Sequence, residues 1–205
     1  MFPQEQPLTI RRFGEGVLGA LRGEFNPSRI EFRGSFASGL VDDYSDVDIR
    51  AEIHAELNQR FFERITCCLE KRFGRSSIRY VPDQRYDPQA QNVRISFYDL
   101  PIFWRTDLDI VSSQTMERKW PDPFPDWSLP QSAFWNLVWA VKYSFREQSR
   151  EKPDHYVACA CEKLQKPTIT YSKSNALTLL EALEICRGME TVFIAKLRNE
   201  LDRAQ

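Results

Sequence analysis

The segment from residue 29 to residue 53 constrains the fold more than any other part of the chain. Residues 29–33 and residues 46–53 each alternate polar and apolar side chains, and this pattern predicts two β-strands. The loop between them is rich in glycine, serine and aspartate, and it begins with Gly34 and Ser35. The sequence therefore predicts a strand–loop–strand unit over residues 29–53.

Helices and further strands are expected on either side of this unit. Apolar residues recur at helical spacing over residues 9–24 and over residues 55–73, where Gly74 is well placed to end the second helix. Shorter segments over residues 77–81, 93–98 and 102–112 have the composition of strands. The first part of the chain thus combines helices with about five strands.

Proline marks a break between two parts of the chain. Four prolines fall within residues 120–130, and repeated proline sustains neither a helix nor a central strand, so this segment is predicted to be a linker. Helical periodicity follows it, over residues 131–148, 155–164 and 176–203. We therefore predict an α+β protein, with a mixed-sheet domain over residues 1–120 and a helical domain over residues 121–205.

Composition narrows the class of partner and compartment. The 205 residues carry 28 basic and 29 acidic side chains, a near-balance that disfavours a nucleic-acid partner. No apolar stretch approaches the roughly 18–20 residues that span a bilayer, and the N-terminal residues lack the pattern of a signal peptide. The five cysteines form an odd set, which favours free thiols, without a zinc site at Cys159 and Cys161, and a cytoplasmic location.

The loop that starts at Gly34 has the features of a phosphate-binding turn. Gly34 ends the predicted strand, and its missing side chain would let an anionic group lie against the backbone. Ser35 adds a hydroxyl donor, and the backbone N–H groups that follow can form a small anion-binding concavity. Arg33, directly before the turn, is also a candidate phosphate contact, although a strand-edge position explains it more simply.

Two carboxylates follow on the second strand. Asp46 and Asp48 are two residues apart, so both side chains point to the same face of the strand. Carboxylates at this separation repel one another unless a cation lies near them, and Mg²⁺ is usually held by a few carboxylates together with substrate phosphates. Asp42 and Asp43, in the loop before them, are interpreted as turn residues.

Further carboxylates are expected from the strand over residues 102–112. Asp107 and Asp109 share one face of it, while Leu108 packs on the other. If this strand lies beside the one that carries Asp46 and Asp48, three or four carboxylates converge. Two metal ions about 3.5–4 Å apart could then stabilise the attacking and leaving oxygens of an in-line displacement.

Together these motifs resemble the DNA polymerase β-type nucleotidyltransferase superfamily. The resemblance covers roughly residues 29–113, and the pattern Gly34-Ser35-x-x-x-Gly39 followed by Ser45-Asp46-x-Asp48 is especially similar to small bacterial members that adenylylate aminoglycoside and lincosamide antibiotics. It implies a nucleotidyltransferase-like mixed sheet of about five strands with flanking helices, and a C-terminal helical domain that closes over the cleft.

The resemblance also implies roles for individual residues. Gly34 and Ser35 would hold the triphosphate, and Ser38 in the same loop is grouped with them. Lys142, on the helix over residues 131–148, would reach the triphosphate from the helical domain, although a surface lysine is an equally good interpretation.

The metal and proton-transfer roles would belong to the aspartates. Asp46 and Asp48 would bind two Mg²⁺ ions, and a strand aspartate would bind one ion and take the proton of the acceptor hydroxyl. Asp109 is preferred for this last role because its setting, Leu108-Asp109-Ile110-Val111, resembles the pattern of the family. Asp107 is the alternative, and both could contribute.

The implied activity is the transfer of a nucleoside monophosphate, AMP as the first choice, from a nucleoside triphosphate to an acceptor hydroxyl. A small molecule such as an antibiotic is the expected acceptor. The alternatives are a nucleotide- or partner-binding module without catalysis and a toxin–antitoxin type enzyme that adenylylates a protein. No membrane partner is expected, and monomer and homodimer both stay open.

Overall fold

A computed structural model describes residues 8–55, 57, 59–80, 90–113, 128–146 and 149–203. The chain divides into two compact units. The first comprises Met1–Leu100 and Trp104–Asp126, and the second comprises Pro101–Phe103 and Trp127–Gln205. The predicted domain boundary at residue 120 lies outside the described residues and stays a prediction.

Within the described residues the first unit combines three helices with five strands, and the second contains four helices. In the first unit the elements are α1 (Ile10–Phe25), β1 (Arg29–Phe32), α2 (Gly34–Ser38), β2 (Val47–Ile53), α3 (Gln59–Phe73), β3 (Ser76–Tyr80), β4 (Ala90–Phe97) and β5 (Thr106–Ser112). In the second they are α4 (Leu129–Phe145), α5 (Glu151–Lys163), α6 (Lys173–Glu184) and α7 (Thr191–Arg203).

The five strands form one mixed sheet in the order β1-β2-β5-β4-β3. β2 and β5 are parallel, and the other three pairs are antiparallel. The predicted α+β class, with a mixed sheet of about five strands followed by helices, is therefore confirmed. The parallel pair is the part of the sheet that positions the site, because it sets one strand of aspartates directly beside another.

One face of the sheet is covered by α1 and α3. In both β2 and β5 every second residue is buried, so the alternation seen in the sequence separates an apolar face from a polar one. Phe13 of α1 is fully buried, and its ring contacts those of Phe73, Phe97 and Trp104 at centroid distances of 5.0, 5.6 and 6.0 Å. The opposite face is left for polar side chains.

The second unit is built around α4. Ser128 caps this helix and forms a reciprocal capping box with Gln131, which satisfies backbone N–H groups at the helix start. The residues from Ala133 to Val138 are all buried, because α5, α6 and α7 contact α4. None of the helices in the described ranges is both long enough and apolar enough to cross a bilayer.

Three elements differ from the sequence prediction. Residues 34–38 form the short helix α2 instead of a loop. β5 begins at Thr106 and not at residue 102, because Ile102 and Phe103 form a turn whose apolar side chains are buried. The helix predicted over residues 176–203 is two helices, α6 and α7, separated at Gly188, where φ is +81°.

The predicted free thiols are present, while the expectations of no zinc site at Cys159 and Cys161 and of a cytoplasmic location stay predictions. All five cysteines are free thiols. Cys161 is buried in α5, where it acts as a small apolar side chain.

Candidate active site

The turn at Gly34 brings the end of β1 against β2. The backbone N–H of Arg33 donates to the carbonyl of Asp48 at 2.8 Å, and Gly34 follows with φ +55°, in the left-handed region that favours glycine. A Cβ at Gly34 would overlap Oδ2 of Asp48. Glycine at this position therefore lets the turn lie directly against a carboxylate of the proposed metal site.

The helix α2 and the loop after it are held by local contacts. The ring of Phe36 stacks on that of Phe32 at a centroid distance of 4.7 Å. Asp42 accepts hydrogen bonds from the backbone N–H of Tyr44 and the hydroxyl of Ser45, at 3.1 and 3.0 Å, which confirms its interpretation as a turn residue. The indole N–H of Trp104 donates to the carbonyl of Asp43 at 3.0 Å. These bonds fix the backbone that leads into Asp46.

Three carboxylates converge at the end of this loop. Asp46, Asp48 and Asp107 each place a carboxylate oxygen within 4.8 Å of the others, a spacing at which one divalent cation can bind all three. Asp48 is on β2 and Asp107 is on β5, while Asp46 directly precedes β2. The predicted convergence of aspartates from two strands is therefore present.

The parallel register explains which aspartate of β5 takes part. Asp107 is the register partner of Asp48, whereas Asp109 is the partner of Arg50, one pleat further along the strands. The geometry therefore favours Asp107, the alternative in the sequence interpretation, over Asp109, the first choice. The flanking residues could not separate the two, because Asp107 and Asp109 share a face and only the pairing of strands sets their neighbours.

Asp109 has partners of its own on the same polar face. Its carboxylate forms an ion pair with the guanidinium of Arg33, and it accepts a hydrogen bond from Nδ2 of Asn92 at 2.6 Å. Asn92 is its register partner on β4. The role of Asp109 as a metal ligand or base accordingly stays a prediction, and it is not among the three carboxylates that meet.

Two buried arginines offset part of the charge of the three carboxylates. Arg105 donates from Nε and Nη2 to the two oxygens of Asp107 at 2.7 and 2.9 Å, and its Nη2 lies 3.7 Å from Asp46. Burial lowers the pKa of Arg105, but the charges of Asp107, Asp46 and Asp48 outweigh it and hold that pKa above its ordinary value. Arg94, on β4, lies 3.3 Å from Asp107. Both arginines are 5% exposed or less.

A cavity of about 270 Å³ opens on this face of the sheet. Its lining includes Gly34, Asp48, Asn92, Arg94 and Asp107. Near it, the hydroxyl oxygen of Ser35 is buried without a hydrogen bond among the described residues, as is Oδ1 of Asn92. Buried polar atoms are normally hydrogen-bonded, so these two atoms have hydrogen-bonding capacity that the described residues leave unused.

The residues at the site fit a hard divalent cation and a phosphate group. Carboxylate oxygens are the ligands that Mg²⁺ takes in proteins, and the three that meet are all of this kind. The backbone of the turn at Gly34 lies directly against Asp48, and the Ser35 hydroxyl next to it has an unused donor for an anion. Asp46, Asp48 and Asp107 would hold the metal, with Gly34 and Ser35 beside the phosphate.

Two predicted triphosphate contacts stay untested. The hydroxyl of Ser38 donates to the carbonyl of Ser35 at 3.2 Å, and Ser38 is exposed on α2. Lys142 is 3% exposed within α4 of the second unit, and its Nζ lies 6.0 Å from the centre of the Tyr143 ring. A surface lysine is therefore the wrong description of Lys142, but its predicted contact with the triphosphate stays a prediction.

Three polar residues of the site were missed by sequence reasoning. They are Arg105, which directly precedes β5 and is two residues before Asp107, and Asn92 and Arg94, which are two residues apart on β4. The same alternation that revealed the aspartates could have placed these side chains on the polar face. It could not have shown that they lie beside the aspartates, because that depends on the strand order.

Comparisons with known proteins establish neither a family nor an activity for this chain. No family model and no curated protein matches this sequence. A solved structure described as "structure of GLD-2/RNP-8 complex" is similar over 96% of this chain and 67% of that chain, with 16% identity and a TM-score of 0.36. A similarity at this TM-score carries no argument about activity.

Proposed function

We propose that this protein is a metal-dependent nucleotidyltransferase, which moves a nucleoside monophosphate from a nucleoside triphosphate to an acceptor hydroxyl. The observation that carries the proposal is the meeting of Asp46, Asp48 and Asp107 within 4.8 Å, beside a turn at Gly34 that leaves no room for a side chain. Phosphoryl-type transfer depends mainly on positioning and charge neutralisation, and this arrangement can supply both.

Mg²⁺ is the proposed ion, with two ions as the expected number. When bound, it would neutralise charge on the reacting phosphate and on the pyrophosphate that leaves. Asp48 and Asp107 lie on paired strands, so the sheet fixes the separation of their side chains. Asp46 is placed by the hydrogen-bonded loop before β2 and completes the three ligands.

The chemical step is an in-line displacement at the α-phosphorus. A bond forms between the acceptor oxygen and the α-phosphorus, the bond from that phosphorus to the oxygen bridging to the β-phosphate breaks, and pyrophosphate leaves. The proton of the acceptor hydroxyl passes to an aspartate of β5. Asp107 is favoured for this role over Asp109, because it is the aspartate of β5 that meets Asp46 and Asp48, where the metal and the reacting phosphate would lie.

ATP is the proposed donor, and a hydroxylated small molecule, such as an antibiotic, is the proposed acceptor. Both follow from the resemblance of the motifs. The near-balance of 28 basic and 29 acidic residues supports a small acceptor over a polynucleotide.

One observation favours a second candidate, a nucleotide- or partner-binding module without catalysis. Arg105 and Arg94 already compensate part of the negative charge of Asp107 and Asp46, so the aspartates can be stable without a metal. An ionised carboxylate has about four lone-pair sites, however, and the two bonds from Arg105 leave sites on Asp107 for an ion. Asp107 can therefore bind a metal ion while it stays paired with Arg105.

The test is pyrophosphate release from ATP and Mg²⁺ in the presence of a panel of hydroxylated small molecules. Asp48→Asn should lower release by about a hundredfold or more, since metal stabilisation supplies several kcal/mol. Asp99→Asn is the matched control, because Asp99 is an exposed carboxylate of the same unit that lies outside the site. Circular dichroism checks that both variants fold.

Calorimetric titration with α,β-methylene-ATP, with and without Mg²⁺, separates the two candidates. Binding that requires Mg²⁺, together with pyrophosphate release, supports the transferase. Binding without release over the whole panel supports the binding module. Release that persists in Asp48→Asn at a comparable rate refutes the metal role of the aspartates.

A further inference from the structure

Three arginines beside the site, Arg33, Arg94 and Arg105, fall into two groups. The side chains of Arg94 and Arg105 are 5% and 4% exposed and are held beside Asp107. The side chain of Arg33 is 38% exposed and contacts a different carboxylate, that of Asp109. Ion pairs with this much exposure contribute little to stability, so Arg33 can leave its partner at a small cost.

Asp109 would not be left without a partner. Nδ2 of Asn92 donates to its Oδ1 at 2.6 Å, and this bond does not involve Arg33. The carboxylate of Asp109 is 20% exposed, so water can also reach it. The ion pair can therefore open without burying an uncompensated charge.

Arg33 is also placed to meet a phosphate group. Its backbone is bonded directly to Gly34, and both residues line the cavity of about 270 Å³ that Asp48 and Asp107 share. A triphosphate carries more negative charge than one carboxylate and offers oxygens on several phosphorus atoms. Guanidinium groups bind such oxygens with two parallel hydrogen bonds.

From these observations we infer that Arg33 is a triphosphate-binding residue, which Asp109 holds in the free protein and releases when the nucleotide binds. The inference rests on the proposed function, because it requires a triphosphate beside Gly34 and Ser35. Asp109 then serves as the resting partner of Arg33, next to the three carboxylates that would hold the metal.

The experiment measures the affinity of the full chain for inorganic tripolyphosphate with Mg²⁺ by calorimetry. Tripolyphosphate has no base or sugar, so it reports phosphate contacts alone. Arg33→Gln should weaken binding by about 10- to 100-fold, the size of one charge-assisted hydrogen bond. Arg29→Gln is the matched control, because Arg29 lies on β1, which ends directly before Arg33, and forms a surface ion pair with Glu31, so this variant should keep the wild-type affinity.

A double-mutant cycle with Asp109→Asn distinguishes exchange from simple electrostatics. If Arg33 moves to the phosphate, Asp109→Asn removes both the repulsion from Asp109 and the need to break the ion pair, so it should tighten binding more in the wild type than in Arg33→Gln. If Arg33 stays on Asp109, it screens that carboxylate, and the gain should be equal or smaller in the wild type. The second pattern overturns the inference.

The outcomes also separate this inference from the proposed function. If the wild-type protein does not bind tripolyphosphate with Mg²⁺, the proposed function and the inference both fail. If the wild type binds it and Arg33→Gln binds it equally well, only the inference fails. A crystal structure with α,β-methylene-ATP and Mg²⁺ should place the guanidinium of Arg33 on a phosphate oxygen, and a guanidinium still on Asp109 would overturn the exchange.

Discussion

Replacing Gly34 by alanine tests how far the position of Asp48 controls metal binding. A Cβ at Gly34 would overlap Oδ2 of Asp48 and lie 3.3 Å from its Cγ. The carboxylate would have to move by about 1 Å to reach ordinary van der Waals separation. Gly39 provides the control, since it also has positive φ, +76°, but a Cβ there meets no atom within 4 Å.

The two substitutions should have similar costs in stability and different costs in function. Alanine in the left-handed region lowers the free energy of unfolding by about 1–2 kcal/mol, and this applies at Gly34 and at Gly39. The carboxylate of Asp48 ends a short side chain that can rotate, so its displacement should add no more than about 1 kcal/mol. A shift of about 1 Å in a reacting group can nevertheless cost about a hundredfold in rate.

Urea unfolding and calorimetric titration with Mg²⁺ measure the two effects. We expect Gly34→Ala to bind Mg²⁺ at least about tenfold more weakly than the wild type, by analogy with changes that misplace metal ligands. Gly39→Ala should keep the wild-type affinity at a comparable loss of stability. Equal Mg²⁺ affinity in the two variants would refute the argument that Gly34 sets the position of the Asp48 carboxylate.

Arg105→Met should lower the free energy of unfolding by about 3 kcal/mol, because it removes a buried guanidinium from the partly buried carboxylates of Asp46 and Asp107 and leaves Asp107 with Arg94 alone. Millimolar Mg²⁺ should raise the Tm of this variant more than that of the wild type, and an equal rise in both would argue against a metal site here. Cys68 should react more slowly with iodoacetamide at pH 8 than the exposed Cys67, since burial and the charge of Glu24 raise the pKa of Cys68 and reduce its thiolate fraction. Fragment mass spectrometry separates the two sites, and equal rates would contradict the assigned burial.

Most of the correct predictions came from the alternation of polar and apolar residues along the strands. It placed β1 and β2 within a residue of their observed bounds and put Asp46 and Asp48 on one face. Helical periodicity likewise placed α1 within a residue of its observed bounds. These features depend on neighbours in the sequence, so a single sequence contains them.

Features that depend on strand pairing could not be predicted from the sequence alone. The choice between Asp107 and Asp109 follows from the register of β5 against β2, which no local pattern specifies. The same is true of Arg94, whose position beside Asp107 follows from the pairing of β4 with β5. Residues 102–105 were included in the strand because the first three of them are apolar, but Phe103 is buried in a turn, where its ring lies 6.1 Å from that of Phe145.

Buried and partly exposed residues alternate strictly along β5, and this alternation makes the correct strand register necessary both for folding and for a complete site. A shift of one residue against β2 would turn Asp107 and Asp109 toward the apolar side and expose Leu108 and Ile110. Ionised carboxylates among the rings and aliphatic side chains under the sheet would cost far more than the few kcal/mol by which most domains are stable. Misaligned copies of this chain would therefore unfold instead of persisting as compact, inactive protein, and every copy with an intact sheet carries its aspartates in alignment.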